Sequence, residues 1–270
     1  MADRKFGRVV AIEQVRHDTR LLHLELEKPA TIDFVGGQYV IVHTKAEIEP
    51  GKVAKGTFTI ISSEAQPGQM TLAIKQIDSG PCTTWLNNSV NVGDRLGYSG
   101  PWGAKNYDHA VGEVDALFLA TDTGINTTIG FLNSKNAAAC LSRARVLWLL
   151  PARDYFLDID YVRNSLPENV RSRFRVELIS DISTPPRVDQ ALKLVEEELT
   201  NLQPRFALLS GDGDVLGPVQ QLLTDRGFGS AVTMEPYFNK PDKKDDSKKN
   251  FVRASQPELA PQPLRKQPQE

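Results

Sequence analysis

Two patterns of apolar positions divide the chain. In the first hundred residues, short segments rich in β-branched and aromatic residues alternate with turns that contain glycine and proline. Six such segments at this spacing predict an antiparallel barrel or sandwich. The predicted strands cover residues 6–15, 20–27, 38–44, 57–63, 70–76 and 94–99. A short helix is predicted at residues 81–87, because proline suits the first helical turn.

After about residue 110 the pattern changes to compact apolar runs separated by helical patterns. Runs that are apolar throughout and alternate with helices indicate a parallel sheet covered on both faces. The runs cover residues 116–120, 146–150, 174–179, 206–209 and 231–238, with helices predicted at 125–139, 158–165, 188–199 and 215–225. Ligands of such sheets bind at the carboxyl ends of the strands, where the strand order reverses.

The predicted fold class is therefore a six-stranded antiparallel β-barrel followed by a five-stranded parallel α/β domain. We place the barrel at residues 1–108 and the α/β domain at 109–239. From residue 240 the chain carries charges of mixed sign and then many Pro and Gln residues. Such a composition buries too little apolar surface to offset its ordering entropy, so residues 240–270 are predicted to be a disordered tail.

Composition narrows the functional classes. The 270 residues are 40% hydrophobic and 24% charged, with a net charge of −2, so nothing favours nucleic acid or an anionic membrane as a partner. We expect no membrane insertion and no signal peptide, because the chain lacks an apolar run of about 18 residues and its N-terminus lacks an apolar core. Cys82 and Cys140 are the two cysteines, too few to supply an iron–sulfur cluster or a zinc site alone. A reducing cytoplasm is the expected location.

Four short motifs follow one another along the predicted barrel. They read F-V-G-G-Q-Y-V at residues 34–40, F-T-I-I-S at 58–62, G-P-C-T at 80–83 and G-P-W-G at 100–103. In this order they resemble the flavin-binding half of the ferredoxin–NADP reductase superfamily. The resemblance covers roughly residues 5–239 and implies an FAD-binding barrel joined to an NAD(P)-binding domain.

The resemblance assigns roles to the motif at residues 58–62. Phe58 would pack against the isoalloxazine ring, and the hydroxyl of Thr59 would lie near flavin N5, the atom that accepts hydride. Ile60 and Ser62 belong to the same flavin-binding motif. On a regular strand Phe58 and Thr59 point to opposite faces, so one ligand can touch both only at a bend or a strand end. The alternative for Phe58 is an ordinary barrel core residue.

The resemblance also implies how the flavin phosphates are bound. Gly80, Cys82 and Thr83 stand where the family opens a helix beneath the pyrophosphate, and helix N-termini suit anions because their N–H groups are unsatisfied. The alternative is a helix start without a ligand. The family arginine that pairs with the pyrophosphate falls on Gly56, and the adjacent Lys55 could replace it as a point charge. FMN therefore stays possible beside FAD.

The motif at residues 119–127 resembles the nicotinamide-site pattern A-x-G-T-G-I-x-P. Thr123 and Gly124 match it, whereas Asp122 replaces its first glycine and Thr127 replaces its proline. A carboxylate at residue 122 would repel a pyrophosphate unless it is paired or points away. The alternative for this loop is plain strand-to-helix turn chemistry, which favours the same residue types.

Three further positions follow from the resemblance. Ser210 and Gly211 stand where the family has C-G-P, so Ser210 joins Thr59 as a predicted catalytic residue near the nicotinamide. Arg153 matches a position that meets the adenosine end of NADPH, although a solvated surface arginine is the alternative. Tyr237 would cover the flavin, as a terminal aromatic residue does in some members, or would simply pack.

The leading functional hypothesis is a flavin-dependent oxidoreductase that passes electrons between NADPH or NADH and an external carrier, such as ferredoxin or flavodoxin, or a partner redox subunit. In such proteins the cofactor carries the chemistry and the protein positions it. One alternative is a flavin-binding electron-transfer or assembly subunit with lost or altered NAD(P)H use. Another is a non-enzymatic scaffold with vestigial sites. Asp122, Thr127 and Ser210 motivate the first alternative, and Gly56 together with Asp122 motivates the second.

Overall fold

The computed structural model describes residues 4–77, 80–103, 114–135, 137 and 143–239. Its first sheet has six antiparallel strands in the order β4-β3-β6-β1-β2-β5, which confirms the predicted first half. An isolated bridge between Ile60 and Leu72 joins the outer strands and closes the sheet into a barrel. The strands are β1 (Lys5–Arg16), β2 (Thr19–Lys28), β3 (Tyr39–Glu49), β4 (Lys52–Thr59), β5 (Gln69–Lys75) and β6 (Arg95–Trp102).

The strand β4 begins and ends earlier than residues 57–63, where the sequence predicts it. Its pairing with β3 continues to a turn at residues 50–51, where Gly51 has φ +74°, a value that favours glycine. As a result Thr59 is the last residue of β4, opposite Tyr39. The segment after it leaves the sheet, so the end of β4 faces the second half of the chain.

The second sheet has five parallel strands in the order β11-β10-β7-β8-β9, as predicted. Its strand order reverses between β7 and β10, next to which helices α2 and α6 begin. The strands are β7 (Ala116–Thr121), β8 (Ala144–Leu150), β9 (Phe174–Leu178), β10 (Phe206–Asp212) and β11 (Val232–Phe238). The α-helices within the described residues are α1 (Pro81–Asn88), α2 (Ile125–Leu132), α3 (Ile159–Ser165), α4 (Glu168–Arg171), α5 (Pro186–Leu199) and α6 (Gly213–Asp225).

Close backbone contact brings α2 against the end of β4. A Cβ atom on Gly130 would lie 2.7 Å from the carbonyl oxygen of Ile60, so only glycine permits this approach. All six residues of β7 are buried, because helices cover both faces of the sheet. The last turn of α2 thereby lies next to the end of the barrel strand that carries the flavin motif.

The predicted domain boundary at residues 108–109 and the predicted tail at 240–270 lie outside the described residues. The short helix α4 has no counterpart among the predicted elements, and α2 ends at Leu132, well before residue 139. Within the described part of the chain, no helix has the length and apolar character needed to cross a membrane.

Candidate functional site

A cavity of about 580 Å³ lies between the end of β4, the start of α2 and the strand β11. This volume is within the range of ordinary cofactor and substrate pockets. Aromatic side chains form much of its wall, and hydroxyl, amide and charged groups occur among them. The lining residues include Tyr39, Phe58, Thr59, Lys75, Thr83, Thr123, Asn126, Tyr155, Glu235, Tyr237 and Phe238.

Phe58 and Thr59 both line this cavity, although they are neighbours on a strand. Thr59 is the last residue of β4, so the alternation of faces no longer separates the two side chains. Phe58 is partly buried against the barrel core, whereas Thr59 is buried. The strand end thus places an aromatic face and a hydroxyl on one cavity.

Three hydrogen-bonded hydroxyl groups connect the barrel to the second domain. The phenol oxygen of Tyr237 lies 2.5 Å from Thr59 Oγ1 and 2.6 Å from Thr127 Oγ1. Thr127 Oγ1 also donates to a carboxylate oxygen of Glu235 over 3.2 Å. Burial raises the pKa of Tyr237, and the charge of Glu235 raises it further, so the phenol stays protonated near neutral pH. Thr127, which replaces the family proline, is what connects Tyr237 to α2.

Neighbouring side chains occupy the position that a side chain at residue 56 would need. This accounts for glycine in place of the family arginine. A Cβ atom on Gly56 would lie 2.7 Å from Cys82 Sγ and 2.7 Å from the ring of Phe58. Lys55 is exposed and does not line the cavity, so the structure does not bring it to the site. The cation that lines the cavity is Lys75, which lies on the neighbouring strand β5.

Lys75 is held at the cavity by two partners. Its ammonium group contacts Asp18 Oδ2 over 2.6 Å and lies 4.4 Å from the centre of the Tyr155 ring. The side chain is only 11% exposed, so its charge is weakly screened by water. A cation therefore lies on the cavity wall, although on a different strand from the one that the sequence predicts.

The helix α1 offers an N-terminus without a side-chain cap or an acidic first turn. Thr83 Oγ1 donates to the carbonyl of Gly80 over 3.0 Å and lines the cavity, so this helix start faces the same space as Phe58. Unsatisfied N–H groups at such an end suit a phosphate. Burial raises the pKa of Cys82 to about 11, so its thiol is protonated at neutral pH and is a poor nucleophile.

At the switch point of the second sheet, Arg187 joins two buried aspartates. Its guanidinium donates to Asp122 Oδ2, and its Nε lies 3.1 Å from Asp212 Oδ2. All three side chains are at most 2% exposed. Asp122 has φ 55°, in the left-handed region that favours glycine, the family residue at this position. The carboxylate is paired with Arg187 and does not line the cavity.

Several predicted site residues lie away from the cavity. Ser210 is fully buried and donates to the carbonyl of Gly124 over 2.9 Å, and Gly211 packs against Thr121. The structure therefore does not bring Ser210 to the cavity wall. Ile60 is a core residue, Ser62 accepts a hydrogen bond from the backbone of Thr71, and Arg153 is exposed. These residues support or flank the site but do not line it.

Four residues of the site were not predicted from the sequence: Lys75, Asn126, Arg187 and Glu235. Asn126 does lie inside the motif at residues 119–127, at a position that the family pattern leaves variable, and Glu235 is two residues before Tyr237. Arg187 is 65 residues from Asp122, and the one sequence signal for it is that two buried carboxylates need a counter-charge. No group of His, Cys, Asp and Glu side chains in the described ranges could hold a metal ion.

The donor set fits a flavin dinucleotide. A flat aromatic ring system needs apolar walls with polar groups at its edge, which Phe58, Tyr237 and Thr59 supply. Its phosphates need N–H groups and a cation, which the start of α1 and Lys75 supply. The loop at Thr123 fits a nicotinamide nucleotide, because Arg187 holds the carboxylate of Asp122 away from the cavity.

Comparison with known proteins finds a flavin-binding domain in the first half of the chain. Residues 7–107 match the family described as oxidoreductase FAD-binding domain. The chain is 27% identical over 119 residues to the phenol hydroxylase P5 protein of Acinetobacter pittii, covering 44% of this chain and 31% of that protein. It is 31% identical over 119 residues to NADH-cytochrome b5 reductase 2 of Aspergillus terreus, covering 42% and 35%. The matched regions thus span about a third of these two relatives.

The fold agrees as well. A crystal structure of a ferredoxin NADP+ reductase from Neisseria gonorrhoeae, with bound FAD and NADP, superposes with a TM-score of 0.68. It is 15% identical and covers 88% of this chain and all of that chain, so this likeness bears on the fold. Together with the flavin motifs, these matches show that residues 7–107 belong to the oxidoreductase FAD-binding domain family and that the chain has the fold of this ferredoxin NADP+ reductase.

Proposed function

We propose that the chain is a flavin-dependent oxidoreductase that passes electrons between NADPH or NADH and a separate redox carrier through bound FAD. The observation that carries this proposal is the single cavity that touches both halves of the chain. Phe58 and Thr59 of the barrel line it together with Thr123 and Asn126 of the second domain. A flavin on one wall and a nicotinamide on the other would therefore face each other.

A bound flavin supplies the chemistry: it accepts a hydride and releases electrons singly. The chain's own residues position the flavin and shield the reaction from solvent. Phe58 and Tyr237 provide apolar contact surface, Thr59 offers a hydroxyl at the ring edge, and Tyr237 links that hydroxyl to Thr127 and Glu235. The start of α1 provides N–H groups and partial positive charge for the phosphates, and Lys75, which is paired with Asp18, provides an ammonium donor.

A separate carrier is supported by the sequence and by the relatives. Two cysteines are fewer than the four ligands of a typical iron–sulfur cluster, so this chain alone does not supply one. One relative is named for NADH and cytochrome b5, that is, for a pyridine nucleotide and a second redox protein. A ferredoxin, a flavodoxin, a cytochrome or a partner redox subunit would fill that role here.

Anaerobic reduction tests the proposal. The purified protein is reconstituted with FAD, and NADH or NADPH is added without oxygen. The expected result is loss of the flavin absorbance near 450 nm with at least one of the two nucleotides. A protein that binds FAD but is reduced by neither nucleotide contradicts the proposal.

The second candidate is a flavin-binding electron-transfer or assembly subunit with altered NAD(P)H use. The observation in its favour is the Asp122–Arg187–Asp212 group, which carries one net negative charge at the strand ends where a pyrophosphate binds in this fold. This candidate predicts stable FAD binding together with reduction by a protein donor alone.

A further inference from the structure

The carboxylate of Glu64 joins the two halves of the chain. Its Oε2 accepts a hydrogen bond from the backbone N–H of Gly36 over 3.1 Å, and its Oε1 accepts one from the backbone N–H of Lys135 over 2.9 Å. Gly36 belongs to the loop before β3 in the barrel, whereas Lys135 follows α2 in the second domain. Hydrogen bonds to an ionised acceptor are stronger than those between neutral groups. A single side chain therefore connects the barrel to the end of α2.

Two glycines bring the two backbones into direct contact at the same place. A Cβ atom on Gly36 would lie 2.1 Å from the carbonyl oxygen of Gly130, and one on Gly130 would lie 2.8 Å from the backbone nitrogen of Gly37. Neither residue has room for a side chain, so the last turn of α2 packs on the barrel backbone itself. Glu64 holds the helix in this contact.

The other end of α2 forms part of the cavity wall. Thr123 and Asn126 line the cavity at this end, and Thr127 is hydrogen-bonded to Tyr237. The helix covers Ile125–Leu132, a rise of roughly 12 Å from one end to the other. Because a helix this short is rigid, a shift of its last turn relative to the barrel also moves its first turn relative to the barrel.

The separation of the two cavity walls bears on the reaction. In that reaction a hydride passes from the reduced nicotinamide, which is oxidised, to the flavin, which gains the same two electrons. Such a transfer requires reacting atoms about 3–3.5 Å apart, and a misplacement of about 1 Å can cost about 100-fold in rate. Phe58 and Thr59 lie on the barrel wall and the start of α2 on the other. The contact that fixes α2 on the barrel therefore fixes this separation.

Resting on the proposed function, we propose that Glu64 is a positioning residue, which fixes α2 against the barrel and so aligns the coenzyme with the flavin. Glu64 does not line the cavity, so it acts through α2 and not by touching a cofactor. Its loss should therefore lower the rate of flavin reduction without a matching loss of affinity for FAD or coenzyme. A side chain that only stabilised its own loop would change the melting temperature and leave that rate unchanged.

Stopped-flow reduction of the FAD-loaded protein tests the inference. The wild type, Glu64→Ala and Glu64→Gln are mixed without oxygen with whichever of NADH and NADPH reduces the wild type. The limiting rate at saturating coenzyme should fall about 10-fold or more in Glu64→Ala, while the dissociation constants for coenzyme and FAD stay close to the wild-type values. Glu64→Gln keeps one of the two acceptor oxygens, so its rate should fall less.

Hydrogen exchange of the apoprotein gives a readout that does not depend on activity. The backbone N–H groups of Gly36 and Lys135 lose their acceptor in Glu64→Ala. Both amides should therefore exchange faster than in the wild type when they are followed by NMR. Unchanged exchange at both amides would mean that Glu64 does not hold α2 on the barrel, and the inference would be wrong.

Asp94→Ala is the matched control. Asp94 Oδ2 accepts a hydrogen bond from the backbone N–H of Asn91 over 2.8 Å, so this carboxylate also holds a loop, but within the barrel alone. Like Glu64, it is partly buried. Asp94→Ala should keep the wild-type limiting rate. Melting temperature and FAD content show that each variant is folded and loaded, and Glu64→Gln replaces Glu64→Ala if the latter fails to fold.

The kinetic outcomes separate the claims. If the Glu64 variants keep the wild-type limiting rate, the inference is wrong while the proposed function stands. If the rate falls as far in Asp94→Ala, or falls only in proportion to lost FAD, Glu64 stabilises the fold without positioning α2, and the inference is again wrong. If the flavin of the wild type is reduced by neither NADH nor NADPH, the proposed function fails together with the inference.

Discussion

The phenol oxygen of Tyr237 lies 2.5 Å from Oγ1 of Thr59, although the two residues are 178 positions apart in the sequence. Thr59 ends the barrel strand that carries the flavin motif, and Tyr237 belongs to the last strand of the second sheet. The hydroxyl that is predicted to meet the flavin edge is therefore bonded to the protein itself in this structure. Flavin binding would exchange one partner of Thr59 for another.

The first prediction concerns the two ends of this hydrogen bond. Tyr237→Phe leaves Thr59 and Thr127 without their shared partner, so the free energy of unfolding of the apoprotein should fall by about 1–3 kcal/mol. The affinity for FAD should not fall, because Thr59 becomes free to bond the flavin. Thr59→Val should weaken FAD binding by roughly 2–10-fold. Denaturant unfolding and fluorescence titration measure the two quantities.

Tyr39→Phe is the control for this pair, since Tyr39 lines the same cavity on the other side of Thr59. Tyr39→Phe should leave both the free energy of unfolding of the apoprotein and the affinity for FAD close to their wild-type values. If Tyr237→Phe weakens FAD binding as much as Thr59→Val does, Tyr237 does not compete with the flavin for Thr59.

The second prediction concerns Phe58. Removing its ring by Phe58→Ala should weaken FAD binding by about 10-fold or more, because stacked aromatic contacts are worth about 0.5–1.5 kcal/mol beyond the buried area. The flavin absorbance maximum should also shift as the ring loses its apolar contact. Phe228→Ala, in the connection between α6 and β11 and outside the cavity, is the comparison. If the two variants have the same FAD content and the same spectrum, Phe58 does not contact the flavin.

The third prediction concerns the pH dependence of stability. Complete burial raises the pKa of Asp122 to about 6 from its ordinary 3.8; the adjacent Arg187 opposes this rise and Asp212 adds to it. Between about pH 4 and 6 the folded chain therefore binds more protons at this site than the unfolded chain. The contribution of Asp122 to the free energy of unfolding should fall as pH rises through this window and stay constant above it.

Asp122→Asn tests this sign, because asparagine also tolerates the left-handed conformation but does not titrate. The stability of the wild type relative to Asp122→Asn should fall between pH 4 and 6, at up to about 1.4 kcal/mol per pH unit. Asp160→Asn, at a side chain that is 84% exposed, is the reference and should show no such slope. A relative stability that rises with pH in this window would mean that Arg187 dominates over burial.

The fourth prediction concerns the glycine that replaces the family arginine. Gly56→Ala should destabilise the protein by about 1–3 kcal/mol, because its new methyl group would overlap Cys82 and the ring of Phe58. Cys82→Ala in the same chain should recover part of this loss by removing the sulfur atom. Gly217→Ala, on a helix where a Cβ would meet nothing within 4 Å, should be neutral or stabilising. If the effects of Gly56→Ala and Cys82→Ala on stability are additive, the methyl group at residue 56 does not contact the sulfur of Cys82.

Much of the fold could be predicted from the sequence because local patterns decide it. Continuous apolar runs such as β7 mark strands that are buried on both faces, and turns with glycine and proline separate the barrel strands. The end of β4 was misplaced, because its boundary depends on how far it pairs with β3, which apolar spacing does not show. That error matters, since Thr59 reaches the cavity because the strand ends there.

Site residues that lie within a sequence motif could be predicted, whereas those that reach the site from distant parts of the sequence could not. Phe58, Thr59, Thr83, Thr123 and Tyr237, which the motifs single out, all line one cavity. Arg187 could not be found, because its pairing with Asp122 joins the first turn of α5 to the turn after β7, and these are adjacent only in the folded domain. Ser210 lies near the end of β10, but its hydroxyl donates to the carbonyl of Gly124, a rotamer choice that no motif encodes.

A visible spectrum of the purified protein, recorded after FAD is added and again after anaerobic addition of NADH or NADPH, tests the central claim most directly. The account predicts stoichiometric FAD with an absorbance band near 450 nm that bleaches with at least one of the two nucleotides. A protein that binds no FAD, or whose bound FAD stays oxidised with both nucleotides, would contradict it.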